Sequence, residues 1–399
     1  MQKNDDVVIV ASCRTPIGDF GGAISSLRAY ELGALVIQEV LNRTHVPAGL
    51  ISDVIMGDCL QCPDEANTAR TAMLKAGLPV EIPAVTIQRQ CSSAMQAVIF
   101  GSQQIKAGDS EVVIAGGMES MSNAPYFLMK ARWGQRLGHG QLTDAIWELL
   151  HSGSALLGEP FIMGMTAENL AEKYGISREE QDTVALRSHN NAQAAIEAGR
   201  FKEEIVPVQI PQKKGDPKIF DTDEHVRFNL AMGDLSRLKP AFKKDGTVTP
   251  GNSSGLNDGA SAVILMRRDK AKELGLNPMA TIVGSAAAGV EPNYMGYGPV
   301  PATEKLLKKT GITLKDLQLI EVNEAFAAQY LSVEKGLNLD RTITNVNGSG
   351  IGLGHPVGST GARIIITLMY EMARRDLSLG LATLCVGGGM GMSTIISRD

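Results

Sequence analysis

A faint internal repeat constrains this 399-residue chain more than any other feature. Positions 307–324 (LKKTGITLKDLQLIEVNE) lie on 41–58 (LNRTHVPAGLISDVIMGD) without a gap. Val46, Ile51, Val54 and Met56 then meet Ile312, Leu317, Ile320 and Val322, so the apolar pattern is shared although few residues are identical. A second match runs through Gly116-Gly117-Met118 and Gly388-Gly389-Met390. Solenoid units repeat at roughly 20–50 residues, so a period of about 270 is too long for one. It fits a duplicated domain, each copy roughly 120 residues long.

Short β-branched runs alternate with helical spacing, as in an α/β fold with buried strands. The pattern predicts strands at 7–10, 54–56, 84–87, 111–115 and 261–266. It predicts helices at 32–41 and at 91–106, the latter ending before Gly108. Between the copies, at 121–251, Gly, Pro, Met and charged residues cluster, with helical pieces at 167–174 and 177–198. Long loops inside compact proteins are usually functional, so this stretch reads as a ligand-binding insertion in the first copy.

Composition closes other routes. Apolar residues at 44% and charged residues at 20% exclude a disordered chain, a collagen and a coiled coil. A net charge of −5 without a basic stripe argues against nucleic acid. No apolar run reaches membrane-spanning length, and the start lacks the features of a signal peptide. Five cysteines are an odd number for a disulfide framework. The expectation is a cytoplasmic protein. The 43 glycines imply tight turns and close backbone approaches, read here as a route by which a ligand reaches the backbone.

Four segments could carry chemistry. Cys91 follows one strand and opens a helix, where the dipole and free N–H groups favour a thiolate; the competing reading is a buried structural thiol. His355 follows Gly348, Gly350, Gly352 and Gly354 and precedes Pro356, on a constrained turn that is no dinucleotide fingerprint. Cys385 ends the last major strand before Gly387-Gly388-Gly389, and Asn323-Glu324 follows the strand 319–322. Open α/β sheets place ligand sites at strand ends, so the four could meet at one crevice. The pair Cys59 and Cys62 offers only two zinc ligands and reads as coincidence; no metal site is expected.

These residues resemble the thiolase family, in its acetyl-CoA acetyltransferase and 3-ketoacyl-CoA thiolase branch. The matching segments are Cys91-Ser92-Ser93-Ala94-Met95-Gln96-Ala97, Met163-Gly164-Met165-Thr166-Ala167-Glu168-Asn169 and Gly251-Asn252-Ser253-Ser254-Gly255-Leu256-Asn257-Asp258-Gly259. Asn323-Glu324-Ala325-Phe326-Ala327-Ala328-Gln329, Gly354-His355-Pro356 and Cys385-Val386-Gly387-Gly388-Gly389-Met390-Gly391 complete the set, in family order.

The resemblance implies an α/β fold, a five-layered αβαβα sandwich of two similar halves with an inserted loop domain. Its boundaries would be 1–121 for the first half, 122–250 for the CoA-binding insertion, 251–270 for the return and 271–399 for the second half. Cys91 would be the acyl-accepting nucleophile, His355 its base and Cys385 the acid/base at the α-carbon. Asn323 would hold a water that binds the thioester oxygen with His355, and the N–H groups of Cys91 and Gly387 would bind a second oxyanion. Substrate and CoA would touch Ile162, Met163, Arg227, Leu238, Phe242, Pro250, Ser254, Ala325 and Phe326. CoA would act as co-substrate, with no tightly bound cofactor, in a homodimer or homotetramer.

Three positions depart from many short-chain members: Ile162 stands where His is frequent, Pro250 where Ala is, and Asp234 where Ser is. Trp147, Leu156 and Leu157 could extend an apolar wall beside Ile162. Two alternatives stay open. One is a thiolase for bulky or aromatic 3-oxoacyl-CoA, with or without a partner subunit. The other is a decarboxylating condensing enzyme of the ketoacyl-synthase kind.

Overall fold

The computed structural model describes residues 3–152, 154–158 and 161–398. Nine strands form its frame: β1 (Val7–Arg14), β2 (Asp53–Gly57), β3 (Ala84–Ile87), β4 (Val112–Ser120), β5 (Asn257–Arg267), β6 (Ala280–Gly289), β7 (Leu319–Val322), β8 (Leu379–Val386) and β9 (Met390–Ser397). They line up as β7-β8-β9-β6-β1-β5-β4-β2-β3, and the short strand Gly18–Asp19 adds to β5. Each half repeats one order, β1-β5-β4-β2-β3 against β6-β9-β8-β7. The fifth place in the second half falls to residues 343–345, where the Ile320 N–H donates to Ile343 O at 2.8 Å and the Asn345 N–H to Ile320 O at 3.0 Å. The half-sheets join edge to edge where Val8 pairs with Thr281 and Ile9 with Ala280.

Eight helices give the layers: α1 (Ala29–Thr44), α2 (Thr68–Lys75), α3 (Ser93–Ala107), α4 (Met163–Tyr174), α5 (Arg178–Glu197), α6 (Pro299–Thr310), α7 (Ala327–Leu337) and α8 (Val357–Arg374). Helices α1 and α2 pack on the outer face of the first half, and α6 and α7 on that of the second. Between the half-sheets, α3 and α8 share one core with Val113 and Leu265 on one side and Leu384 and Ile396 on the other. Every residue of α8 from Val357 to Met369 is buried, as a helix enclosed on all sides requires. This is the expected αβαβα sandwich.

The alignment of 41–58 on 307–324 matches the structure. α1 and α6 end at the aligned Thr44 and Thr310, and left-handed caps follow at His45 and Gly311. The aligned 3-10 turns Ala48–Leu50 and Leu314–Asp316 come next. The Gly-Gly-Met match does not hold. Gly116 and Gly117 lie inside β4, whereas Gly388 and Gly389 form the turn between β8 and β9.

The glycine reading also needs correction in the first half. A Cβ on Gly117 would stand 2.1 Å from the Gly358 carbonyl oxygen, so this glycine lets α8 approach β4. The close approach there is of the protein to itself and not of a ligand. The helix predicted from position 91 begins at Ser93, leaving Cys91 in the turn before it.

After Ser120 the chain leaves the sheet and returns at Asn257. The excursion is more regular than its composition suggests. Helices α4 and α5 have 12 and 20 residues, and α5 opens with a reciprocal cap between Ser177 and Glu180. Met163, Ala167 and Val184 pack against Phe326 and Tyr330, so the excursion from the first half covers the outer face of the second.

Candidate active site

Cys91 stands on a strained turn. Gln90 has φ of 46°, a left-handed conformation costly for any residue with a Cβ. The Ser93 N–H and hydroxyl both donate to Gln90 O, at 3.0 and 2.6 Å, which holds the turn closed. The N–H groups of Gly387 and of Cys91 itself face the sulfur and favour the thiolate. Burial outweighs them and pushes the thiol up to about 11. The expectation of a lowered pKa is therefore overturned: the resting group is a thiol.

His355 lines the same cavity as Cys91. Gly354, at φ 101°, turns the chain into it, and its N–H donates to Asn257 Oδ1 at 2.8 Å. Its Nδ1 lies 2.6 Å from Thr360 Oγ1, and that hydroxyl donates its proton to Pro356 O at 2.8 Å. The hydroxyl must then accept from Nδ1–H, which leaves Nε2 as an acceptor. Burial, and next the charge of Arg363, push the imidazole down to about 3, so it is neutral at pH 7.

Asn323 follows β7 directly, and its Nδ2 lies 3.4 Å from His355 Nε2. Glu324 fixes this loop by accepting from Ser188 Oγ and from Asn345 Nδ2. Cys385 ends β8, fully buried. Burial raises its thiol far above the usual range, and negative charge on Cys91 raises it further, so the two sulfurs lie within electrostatic reach. Gly387 begins the three-residue turn between Val386 and its partner Met390.

Cys91, His355 and Gly387 line one cavity of about 420 Å³, together with Ile162, Met163, Arg227, Phe242, Pro250, Ser254, Ala325 and Phe326. Asn323 and Cys385 lie behind its wall, and Leu238 is not part of it. Leu238 packs with the core of the second half and against Gly251. Of the three departures, Ile162 and Pro250 are in the wall; Asp234 accepts from the Ala231 N–H and pairs with Arg237. Trp147 is largely exposed against His151, and its neighbours Leu149 and Leu150 line the cavity instead. Leu156 is exposed, and the side chain of Leu157 lies outside the described residues.

Sequence reasoning missed the groups that hold the site. Thr360 fixes the His355 tautomer from within α8, and Asn257 reaches His355 across 98 positions of sequence. Glu119, buried in β4, accepts from the N–H groups of Cys59 (3.3 Å), Leu60 (3.1 Å) and Gly358 (2.7 Å). Asp58 is buried beside it, and desolvation raises both carboxyls. Only the position of Asn257 beside a glycine-rich segment hinted at any of these. Cys59 donates to Gln90 O and Cys62 to Asn123 O, each at 3.3 Å, so the two thiols serve separate contacts.

The duplicated α/β frame thus brings the Cys91 thiol and a neutral imidazole to one cavity, with the buried Cys385 thiol behind its wall. The chain belongs to the thiolase family: residues 7–269 match the thiolase N-terminal domain and residues 276–398 the thiolase C-terminal domain. It is 51% identical to an acetyl-CoA acetyltransferase of Pseudomonas aeruginosa, over 99% of this chain and 100% of that protein. The crystal structure of a Bacillus anthracis acetyl-CoA acetyltransferase superposes with a TM-score of 0.96 at 53% identity, covering 98% of both chains. Human mitochondrial 3-ketoacyl-CoA thiolase in complex with CoA superposes with a TM-score of 0.94 at 43% identity, covering 99% of this chain and 98% of that one.

Proposed function

We propose that the chain is an acyl-CoA:acetyl-CoA C-acyltransferase, which cleaves a 3-ketoacyl-CoA with CoA or runs the same steps backwards as a Claisen condensation. The observation that carries this reading is the meeting of Cys91, His355 and the Gly387 N–H in one cavity, with Asn323 3.4 Å from His355. The full-length likeness to proteins named for acyl transfer with CoA supports it.

His355 Nε2 takes the Cys91 proton, and the thiolate attacks the 3-keto carbon. The bond between C2 and C3 breaks, its electron pair stays on C2 as an enolate, and Cys385 protonates that carbon. Acetyl-CoA leaves, and the acyl group stays on Cys91. CoA then gives its thiol proton to the Cys385 thiolate and attacks the acyl carbon; Cys91 departs and recovers its proton from His355. The N–H groups of Gly387 and Cys91 bind the oxyanion on the acyl carbon, while Asn323 and His355 serve the enolate oxygen through a water. Stabilising two oxyanions at fixed donors is where the rate gain arises.

The excursion 122–250 binds CoA in this reading, with Arg227 toward a phosphate or the adenine. Exposed Tyr126, Met129, Trp133 and Leu137 support self-association into a homo-oligomer. No helix among the described residues is long and apolar enough to cross a membrane, in keeping with a cytoplasmic role. Cys91→Ala tests the assignment: CoA-dependent cleavage of acetoacetyl-CoA should disappear, and retained cleavage would defeat the mechanism.

A further inference from the structure

Among the described residues, Arg14 and Arg363 are wholly buried, and they differ in how they are held. Arg14 is satisfied: Nε donates to Glu204 at 2.6 Å, and its two terminal nitrogens grip Asp223 at 2.7 and 2.9 Å. None of the three Arg363 nitrogens has a hydrogen-bond partner among the described residues. Its nearest opposite charge is Glu321, whose Oε2 lies 4.0 Å from a terminal nitrogen and is itself unpartnered. A buried ion pair is a poor source of stability, because apolar residues of the same volume usually serve as well or better. Its place in the fold is the informative feature.

Arg363 sits in α8, eight positions after His355. The Arg363 charge bears on the His355 ring, whose Nδ1 is held by Thr360 in the preceding turn of α8. Glu321 sits in β7, two residues before Asn323, and strand periodicity puts both on one face. The pair therefore joins the two elements whose ends meet in the contact of Asn323 with His355. We propose that the buried Arg363–Glu321 pair is a positioning pair for catalysis, fixing the strand end that carries Asn323 against the helix start that carries His355.

The surroundings support a functional role for the charge. Around Arg363 stand Glu321 from β7, Arg14 from β1, and Glu204 and Asp223 from the excursion. Thr367, one turn further along α8, donates to Glu204 at 3.1 Å, tying the helix to the satisfied cluster. His355 faces Asn323 and Thr360 and shares its cavity with Cys91; Arg363 is the cation that bears on it. A positive charge held there disfavours imidazolium, so His355 rests in its neutral form. No step of the reaction passes through Arg363 or Glu321, so both act through their neighbours.

The proposal rests on the acyl-transfer reading above, and one experiment separates the two. The wild type, Arg363→Met, Arg363→Lys, Glu321→Gln and the double variant Arg363→Met/Glu321→Gln are compared in acetoacetyl-CoA thiolysis, with kcat, KM and the pH profile of kcat/KM measured for each. Arg363→Met should lower kcat by ~10–100-fold while KM changes by less than about threefold, because misplaced groups lose rate before binding. The acid limb of its profile should move to higher pH, since His355 loses a nearby positive charge. Arg363→Lys should recover part of kcat, and the double variant should be no worse than Arg363→Met. An Arg363→Met enzyme with unchanged kcat and acid limb, or losses that simply add in the double variant, would overturn the proposal. If Arg363→Met does not fold, Glu321→Gln decides: kcat should fall at constant KM, and wild-type kcat would overturn it. A wild type without CoA-dependent cleavage would instead reject the acyl-transfer reading.

Discussion

At the end of β2 the first half has Gly57 and Asp58; at the matched end of β7 the second half has Asn323 and Glu324. A Cβ on Gly57 would stand 2.6 Å from the Ala94 nitrogen and 2.7 Å from the Gly358 carbonyl oxygen, so that strand end is filled by the backbones of α3 and α8. Asn323 has room for an amide and turns it toward His355. The carboxyls diverge as well. Asp58 is buried beside a second carboxyl, Glu119, while Glu324 is hydrogen-bonded by Ser188 and Asn345. One topology thus gives close packing in one copy and a polar site in the other. The middle helices complete the division: α3 opens next to Cys91 and α8 next to His355.

That asymmetry breaks most severely at its reactive end. His355→Asn should cut kcat by ~10²–10⁴-fold, because Cys91 is a thiol at rest and loses its base. Asn323→Ala should cost about 10²–10³-fold in kcat, since an oxyanion donor is removed. The same measurements on Gly57→Ala or Gly117→Ala should show a different failure. There the added Cβ meets backbone, and stability should fall by ~1–3 kcal/mol, read as a lower denaturation midpoint with little change in kcat per folded molecule. Equal losses of kcat at Gly57 and Asn323 would erase the distinction between the copies.

Stability against pH sharpens the comparison further. His189, in the excursion, and His355 are both pushed down to about 3 by burial. The unfolded chain protonates them near pH 6.5, so the stability they confer is present above that pH and is lost as pH falls below it. Denaturant midpoints should therefore rise as pH goes from about 3 to about 6.5. A midpoint that stays constant between pH 6.5 and pH 4 would contradict the neutral histidines. Burial pushes the Glu321 carboxyl up, and the facing Arg363 charge pulls it back. The smallest effect belongs to Asp234→Ala: its exposed pair with Arg237 should be worth less than ~1 kcal/mol and leave kcat unchanged.

Much of this was legible in the sequence. The apolar spacing of 41–58 and 307–324 located matched helix ends and strands, because both depend on local periodicity and caps. Cys91, His355 and the Gly387 turn were legible as reactive or turn-forming residues at strand ends. What stayed hidden depends on distant partners. The pKa of Cys91 went the other way because burial, which three layers of structure create, outweighs the helix terminus. The Gly-Gly-Met match failed because identical letters served a strand interior in one copy and a turn in the other. Trp147 could be wall or loop-domain core from the sequence; in the short helix Ala145–His151 it is Leu149 and Leu150 that line the cavity, and the phase of so short a helix cannot be read from composition.

The central claim is a division of labour in which one thiol carries the acyl group and the other carries a proton. Mass spectrometry of the enzyme, quenched after incubation with acetoacetyl-CoA in the absence of free CoA and then digested, tests it directly. The account predicts one acetyl group on the peptide containing Cys91, none on the Cys385 peptide, and its loss when CoA is added. Acetylation of Cys385 or Cys59, or turnover with no acylated cysteine, would contradict it.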